Sequence, residues 1–487
     1  MGEHKVDTRL LILIPVLAIN GLAGCTPTRV NGHVPVAIST HFQNAPTPQD
    51  NTSPTDLQSW WKRFQDPVLD DLISRALTAN HDLKIAKARV REARTVVTVT
   101  ESVLYPTIDL FSSGGREKRI DRIIGLPTNQ GIQLVTPIAD VLTGGLAARW
   151  EIDIFGGRHL EVEASIAQAE GIAAALNAVQ VSLLAQIATD YMNLRGVQQR
   201  LTTLRESIKV QRERLRTLEL FSRAGLINER DVSRQETVVH DIEGLVPLLV
   251  NAEITRIHRL GVLVGIPPGG LKDQLTQPMP LPTAMPSIPN LLPSSLLAQR
   301  PDLHLAQTEV TAMAASLGAA RANLLPKLVL SASGGIGALA VGGFSSLAES
   351  VYALGSGLTA PIFNAGRIRA HIAGVEAQLD QSARNYEKTF LIALEDVENA
   401  FVFHTSALER HKHLAKAETA AEKTQSMASA LYQRGARDYL SVLDAQLARL
   451  STNEEITKAR TEVLVSMVSL YRAFGGGWNE KTALEMP

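Results

Sequence analysis

The chain has 487 residues and a formal net charge of −1, with 45% hydrophobic but only 5% aromatic residues. Near-neutral charge gives no electrostatic reason to expect nucleic acid as a partner. A single cysteine, Cys25, excludes an intrachain disulfide framework and any multi-cysteine metal site.

From the N-terminus, Lys5 and Arg9 precede a short apolar run, Leu10 to Ile19, and then Leu22-Ala23-Gly24-Cys25. A basic start, an apolar stretch too short to span a bilayer and small residues before a cleavage point describe an export signal over 1–24. The motif resembles a bacterial lipobox, which implies lipid attachment at Cys25. Thr26 follows in place of an aspartate, which in lipoproteins of this kind favours passage to the outer membrane. Each buried acyl CH₂ adds about 0.8 kcal/mol of membrane affinity. Residues 25–59 have a tether's composition, with Pro27, Pro35, Pro46, Pro48 and Pro54. Order is expected from Trp60-Trp61-Lys62-Arg63-Phe64, and Asp66-Pro67 opens a short helix carrying Leu69, Leu72, Ile73 and Leu77.

The window from Asn80 to Gly115 occurs twice. Asn80-His81-Asp82-Leu83, a helical stretch, Tyr105-Pro106, Ile108, Leu110 and Gly114-Gly115 return 220 positions later as Arg300-Pro301-Asp302-Leu303, Leu325-Pro326, Leu328, Leu330 and Gly334-Gly335. In both copies a period of 3.6 gives way, at a proline, to a strand-like run. Ile154-Phe155-Gly156-Gly157-Arg158 is echoed by Ile362-Phe363-Asn364-Ala365-Gly366-Arg367, and Phe221 to Gly225 by Leu431 to Gly435. The chain is a duplication of whole halves, 60–264 and 294–478, and not a solenoid of short repeats.

No mature segment reads as a membrane-spanning helix, so crossing a membrane requires a sheet with no free edge. Four segments are long enough for tilted strands: about 106–115, 141–154, 326–335 and 351–362. In the second, Leu146, Ala148, Trp150, Ile152 and Ile154 alternate with Arg149, Glu151 and Asp153. Four strands cannot close a barrel, since the smallest have about eight, so a lipid-facing sheet here demands an oligomer.

Two proline-free runs follow the strand pairs, starting at Gly157 and Arg367, with apolar positions stepping by three and four: Ile172, Leu176, Val179, Leu183 and Ile187 in the first. Each is paired with a shorter returning helix, giving long hairpins at about 157–264 and 365–474. The Pro-rich segment 265–293 is read as a mechanical linker between halves, and 479–487 as a C-terminal tail. The fold class is α+β: four membrane strands and long α-helical hairpins in each chain.

At these residues the chain resembles the TolC-like outer-membrane efflux proteins, specifically the lipoprotein branch that works with resistance-nodulation-division pumps (the NodT type). The carriers are Trp60-Trp61 through Asp66-Pro67, Asn80 to Leu83 with Ala88-Arg89-Val90, and Arg300 to Leu303. Further carriers are Ala319 to Ala322, Pro361-Ile362-Phe363 with Gly366-Arg367, Tyr439 to Gln446, and Tyr471 to Trp478. The resemblance implies a homotrimer with a twelve-stranded barrel in outer-membrane lipid, continuous with a periplasmic α-helical barrel. Its waist would use residues near both termini and parts of the linker. It implies a passive exit duct for drugs or toxic small molecules, joined by a periplasmic adaptor (membrane fusion protein) to an inner-membrane pump.

The hairpin turns, around Ala224–Asn228 and Arg434–Asp438, are the expected adaptor contacts, with Gly225 and Gly435 supplying the positive φ a helix end needs. Asp444 matches the family's constriction aspartate, and one carboxylate per chain would ring the periplasmic mouth. Where relatives place a basic residue three positions on, this chain has Leu447; Arg434 or Arg437 are the candidates to replace it. Opening would untwist the inner hairpins, a population shift driven by differential contacts with adaptor or pump.

An enzyme is not expected: there is no HExxH, CxxC or GxSxG, and no cofactor beyond lipid on Cys25. Gly335-Ile336-Gly337 after a strand imitates a dinucleotide loop, but no long helix follows it. No metal site is expected. Export of proteins or of metal ions is the alternative cargo, and scattered methionines give no sign of a soft-metal relay.

Overall fold

The computed structural model describes residues 57–118, 124–128, 131–135, 138–286, 288, 292–341, 344–345 and 349–478, together with 30, 32, 34–36 and 40–45. The signal segment 1–24, Cys25, most of the tether and the tail 479–487 lie outside the described residues.

In chain order the elements are α1 (Pro67–Ala79), α2 (His81–Glu101), β1 (Thr107–Lys118), β2 (Ile124–Thr128), β3 (Gly131–Val135), β4 (Ile138–Ile152), α3 (Gly157–Arg223) and α4 (Glu229–Leu263). The short α5 (Lys272–Leu275) and α6 (Leu296–Gln299) lead into α7 (Pro301–Ala322). Then come β5 (Lys327–Val341), β6 (Phe344–Ser345), β7 (Glu349–Thr359), α8 (Arg367–Gln433) and α9 (Tyr439–Ala473). The chain divides into two compact units, one of residues 1–34, 91–170 and 307–385, the other of residues 35–90, 171–306 and 386–487.

The first unit holds an antiparallel sheet in which β4 pairs with β1 and β5, and β5 with β7 and the short β6. The strands differ from the expected bounds. Pairing continues past the glycines to Lys118 and Val341, while β4 and β7 stop at Ile152 and Thr359, short of 154 and 362. Pro361 lacks the N–H that would extend β7. A separate hairpin, β2 with β3, has no counterpart in the expected four strands. Side chains alternate across the sheet, and the register aligns one set: Ile108 with Ala148, Leu110 with Leu146, Leu330 with Trp150, and Leu354 with Ala332. Gly145 and Gly335 face each other on the opposite set, where a methyl on either would overlap the facing backbone. Glycine there lets the sheet coil sharply.

The second unit is helical, around a core of Trp60, Phe64, Tyr191, Phe390, Tyr471 and Phe474 with the leucines of α1. Trp60 stacks on Tyr471 at 5.3 Å, and Phe42 meets Phe401 and Phe474 at 5.8 and 5.9 Å. Asp66 caps α1, accepting from the Val68 and Leu69 amides at 3.0 and 3.2 Å, and also accepts from the Tyr191 hydroxyl at 2.6 Å. The Pro-rich segment is more than a spacer. Leu271, Leu275 and Leu281 enter the core, and the Leu275 and Gln277 carbonyls accept from Gln198 and Arg195 at 2.6 and 3.0 Å.

Duplication is visible atom by atom in this unit. Asn80 donates through Nδ2 to the Leu263 carbonyl at 2.9 Å, closing the end of α4. Arg300, its repeat partner, donates through Nη1 to the Ala473 carbonyl at 2.9 Å, closing the end of α9. Gly265 and Gly475 follow those helices at φ 77° and 74° and pack on the Ala79 and Gln299 carbonyls. The returning helix α4 runs unbroken to Leu263 as expected, and one other helix departs from the expectation. Pro247 lies inside α4, where a proline removes a helical hydrogen bond but packing of Val246, Leu249 and Val250 holds the helix together. α3 contains a stretch apolar enough to cross a membrane by length and composition, contrary to the sequence expectation; half of it is buried inside the protein.

Candidate functional site

Two surfaces carry chemistry that packing within the chain does not use. The first is one face of the sheet. Leu110, Tyr352 and Leu354 are 82%, 83% and 82% exposed, and Ile108, Leu142, Leu146, Ile336 and Leu358 are exposed beside them. All belong to the set of side chains that the register aligns on one face. A contiguous apolar face of this kind marks a surface made for lipid or for another protein. It ends at Arg116 and Asp140, which pair across β1 and β4 at 2.6 Å, and at Trp150, whose indole N–H donates to the Leu104 carbonyl at 2.9 Å. The other face carries Thr107, Asp109, Ser113, Thr143, Arg149, Ser331 and Ser333. Among the described residues β1 pairs only with β4, and β7 only with β5, so both strands leave one edge open.

The second surface is the pair of hairpin turns. After α3, Gly225 takes φ 71°, its amide donates to the Ser222 carbonyl at 2.9 Å, and the Leu226 amide donates to Phe221 at 2.9 Å. Asn228 then caps α4, accepting from the Arg230 amide at 3.0 Å. After α8, Gly435 takes φ 72°, donating to Tyr432 at 2.9 Å, and the Ala436 amide donates to Leu431 at 3.0 Å. Asp438 caps α9, accepting from the Ser441 amide at 3.3 Å and its hydroxyl at 2.9 Å. Those Ser441 hydrogen bonds hold the Asp438 carboxyl below the ordinary aspartate range, and Arg437 beside it adds a smaller pull.

The start of α9 packs into the first hairpin. Tyr439, Val442 and Leu443 bury against Leu218 and Val238, with Ile227, Val232 and Tyr432 at the margin. Asp444 points the other way. It is exposed and forms no ion pair among the described residues, and Leu440 and Leu447, four before it and three after, are exposed on the same helical stripe. Neither Arg434 nor Arg437 pairs with it; both are exposed.

Beneath that stripe runs a buried polar chain that the sequence did not disclose. The Tyr439 hydroxyl donates to Gln235 Oε1 at 2.8 Å, Gln235 Nε2 donates to Gln211 Oε1 at 2.9 Å, and Gln211 Nε2 donates to Gln446 Oε1 at 3.2 Å. Gln446 Nε2 is buried and has no acceptor among the described residues. Burial pushes the Tyr439 hydroxyl up to about 12, so it remains a donor throughout the neutral range. The available signal was the seven-residue spacing of Tyr439 and Gln446, two turns apart on one face.

A family model described as "Outer membrane efflux protein" matches residues 72–243 and 292–476. The chain is 29% identical over 471 residues to the pyoverdine export outer membrane protein OpmQ of Pseudomonas aeruginosa, covering 96% of this chain and 97% of that one. It is 28% identical over 494 residues to the probable outer membrane lipoprotein SilC of Salmonella typhimurium, covering 96% of this chain and 99% of that one. Among solved structures, the outer-membrane channel OprN superposes with a TM-score of 0.82 at 30% identity, over 93% of this chain and 99% of that chain.

Proposed function

The chain belongs to the outer membrane efflux protein family and serves as an exit duct in the outer membrane, and on that premise we propose how its parts divide the work. Three copies join their sheets edge to edge into one twelve-stranded barrel. The observation that carries this is the combination of an exposed apolar face with open edges on β1 and β7. Hydrocarbon tolerates no unpaired strand edge, and four long strands are too few to close alone.

The hairpin turns at Gly225 and Gly435, with Arg434 and Arg437, meet a periplasmic adaptor, which connects the duct to an inner-membrane resistance-nodulation-division pump. Three copies of Asp444 line the mouth and favour cations. Asp444 itself takes part in no ion pair among the described residues, while α8 and α9 are joined by Arg410–Glu455 and Arg449–Glu422. The cargo is small organic molecules, a reading supported by the pyoverdine export of the OpmQ relative.

Cys25 carries the lipid. Val30 packs with Leu317, Ala320 and Val375, and the Gly32 carbonyl accepts from Gln307 at 3.1 Å, which fixes the chain shortly after the cysteine on the sheet-bearing unit. Five residues span at most about 18 Å. The SilC relative is itself a probable outer membrane lipoprotein.

The test is single-channel recording in planar bilayers. Wild type should give a small, cation-preferring conductance, and Asp444→Ala a larger one with weaker preference. An unchanged trace in that variant would remove Asp444 from the mouth.

A further inference from the structure

The motif from Tyr439 to Gln446 does two things at once. Asp444 faces outward, while the residues at both ends of the motif turn inward and join the same buried chain. That chain spans three helices: Tyr439 and Gln446 on α9, Gln235 on α4 and Gln211 on α3. It has a direction, each group donating to the next, and it ends at a Gln446 N–H pair without an acceptor among the described residues. The four members are uncharged, and a charged group borders them, the Arg214 guanidinium lying over the Tyr439 ring at 6.0 Å. Gln235 is fully buried and the other three nearly so, in surroundings where hydrogen bonds polarise one another and water does not compete.

We propose that Tyr439, Gln235, Gln211 and Gln446 form an uncharged latch that holds the first two turns of α9 against the first hairpin and so positions Asp444. The proposal rests on the reading of the hairpin tips as the mouth of the duct. Its consequence is specific. A salt-bridged closure weakens as added salt screens it, whereas a latch of neutral hydrogen bonds does not. Breaking the chain at Tyr439 or at Gln235 releases the same strut, so the two losses do not add.

The experiment uses Tyr439→Phe, which removes the hydroxyl but keeps the ring packed on Tyr432 at 5.4 Å, and Gln235→Met as a second break. Full-length protein in detergent is followed by hydrogen exchange of the amides over 439–448, and in bilayers by single-channel conductance at 0.1 and 1 M salt (both about an ordinary working range). Expected are exchange at least about tenfold faster in either variant, a several-fold rise in resting conductance, and no further gain in the double variant. The wild-type resting conductance should scale with bulk salt and no more. Unchanged exchange in both single variants overturns the latch. Faster exchange with unchanged conductance separates the chain from the mouth and overturns its positioning role. If Asp444→Ala is silent as well, the fault lies with the reading of the mouth itself.

Discussion

At the tip of the first hairpin Gly225 turns the chain at φ 71° and Asn228 caps the returning helix; 210 residues later Gly435 does so at φ 72° and Asp438 caps in turn. The hydrogen bonds that close the two turns match one for one. Side chains do not follow. Where the second hairpin carries Asp444, the same position of the first carries Arg234, and where the second carries Leu440 the first carries Arg230. Duplication preserved the backbone because the turn geometry demands it, and left the charges free to diverge. A carboxylate that the fold does not require, standing exposed beside two leucines, is the kind of residue that function retains.

The same contrast recurs at the other end of the returning helices, and it gives the largest expected effect. Asn80 and Arg300 close equivalent carbonyls, but Arg300 also pairs with Asp302 at 2.7 Å and Asp396 at 2.9 Å. Arg300→Met should cost about 3 kcal/mol, the low end for a broken buried pair because both carboxylates retain water. Asn80→Ala should cost about 1–2 kcal/mol through the lost cap and carbonyl bond. Unfolding of detergent-solubilised protein orders the two; an equal or inverted order would show that the second repeat gained nothing from its charge.

Next come the turns. Gly225→Ala and Gly435→Ala should each cost about 1–2 kcal/mol, since a Cβ is disfavoured at positive φ. Space does not decide the matter, because nothing stands near either position. Their losses should agree within a few tenths in the same unfolding assay. A clear inequality would mean that one turn is held by more than its own backbone.

A smaller effect distinguishes His404 from its counterpart Leu194, both buried. His404 Nδ1 lies 2.9 Å from Ser466 Oγ, and burial holds its pKa below the ordinary 6.5. The folded state therefore binds the proton less readily than the unfolded chain. The stability it confers is complete above about pH 6.5 and declines as pH falls toward the folded pKa. His404→Leu should flatten the stability profile across that acid window. A profile of unchanged slope in the variant would place the acid sensitivity elsewhere.

The smallest effect on stability is expected at exposed Asp444 and half-buried Arg234. Asp444→Ala and Arg234→Ala should each stay within about 0.5 kcal/mol of wild type. Only the first should alter ion preference in bilayer recordings; equal changes in both would make charge anywhere on the tips sufficient.

Much of this arrangement was readable from residues. Asn80-His81-Asp82-Leu83 and Arg300-Pro301-Asp302-Leu303 marked the repeats because helix, proline and strand follow each other in fixed order in both. The alternation of Leu146, Ala148 and Trp150 with Arg149 and Glu151 marked a two-faced strand. Two things were not readable. The short strands Ile124–Thr128 and Gly131–Val135 carry too little alternation to stand out. The partners of Tyr439 lie more than 200 residues away in sequence, at Gln235, and glutamine has no spacing rule that announces such a meeting.

The central claim is that a sheet with one lipid-facing side and two open edges becomes a duct only by joining copies of itself. Native mass measurement of the full-length protein extracted in detergent tests it most directly. Three chains per particle is the predicted result; a particle of one chain, stable in water once the detergent is removed, would contradict it.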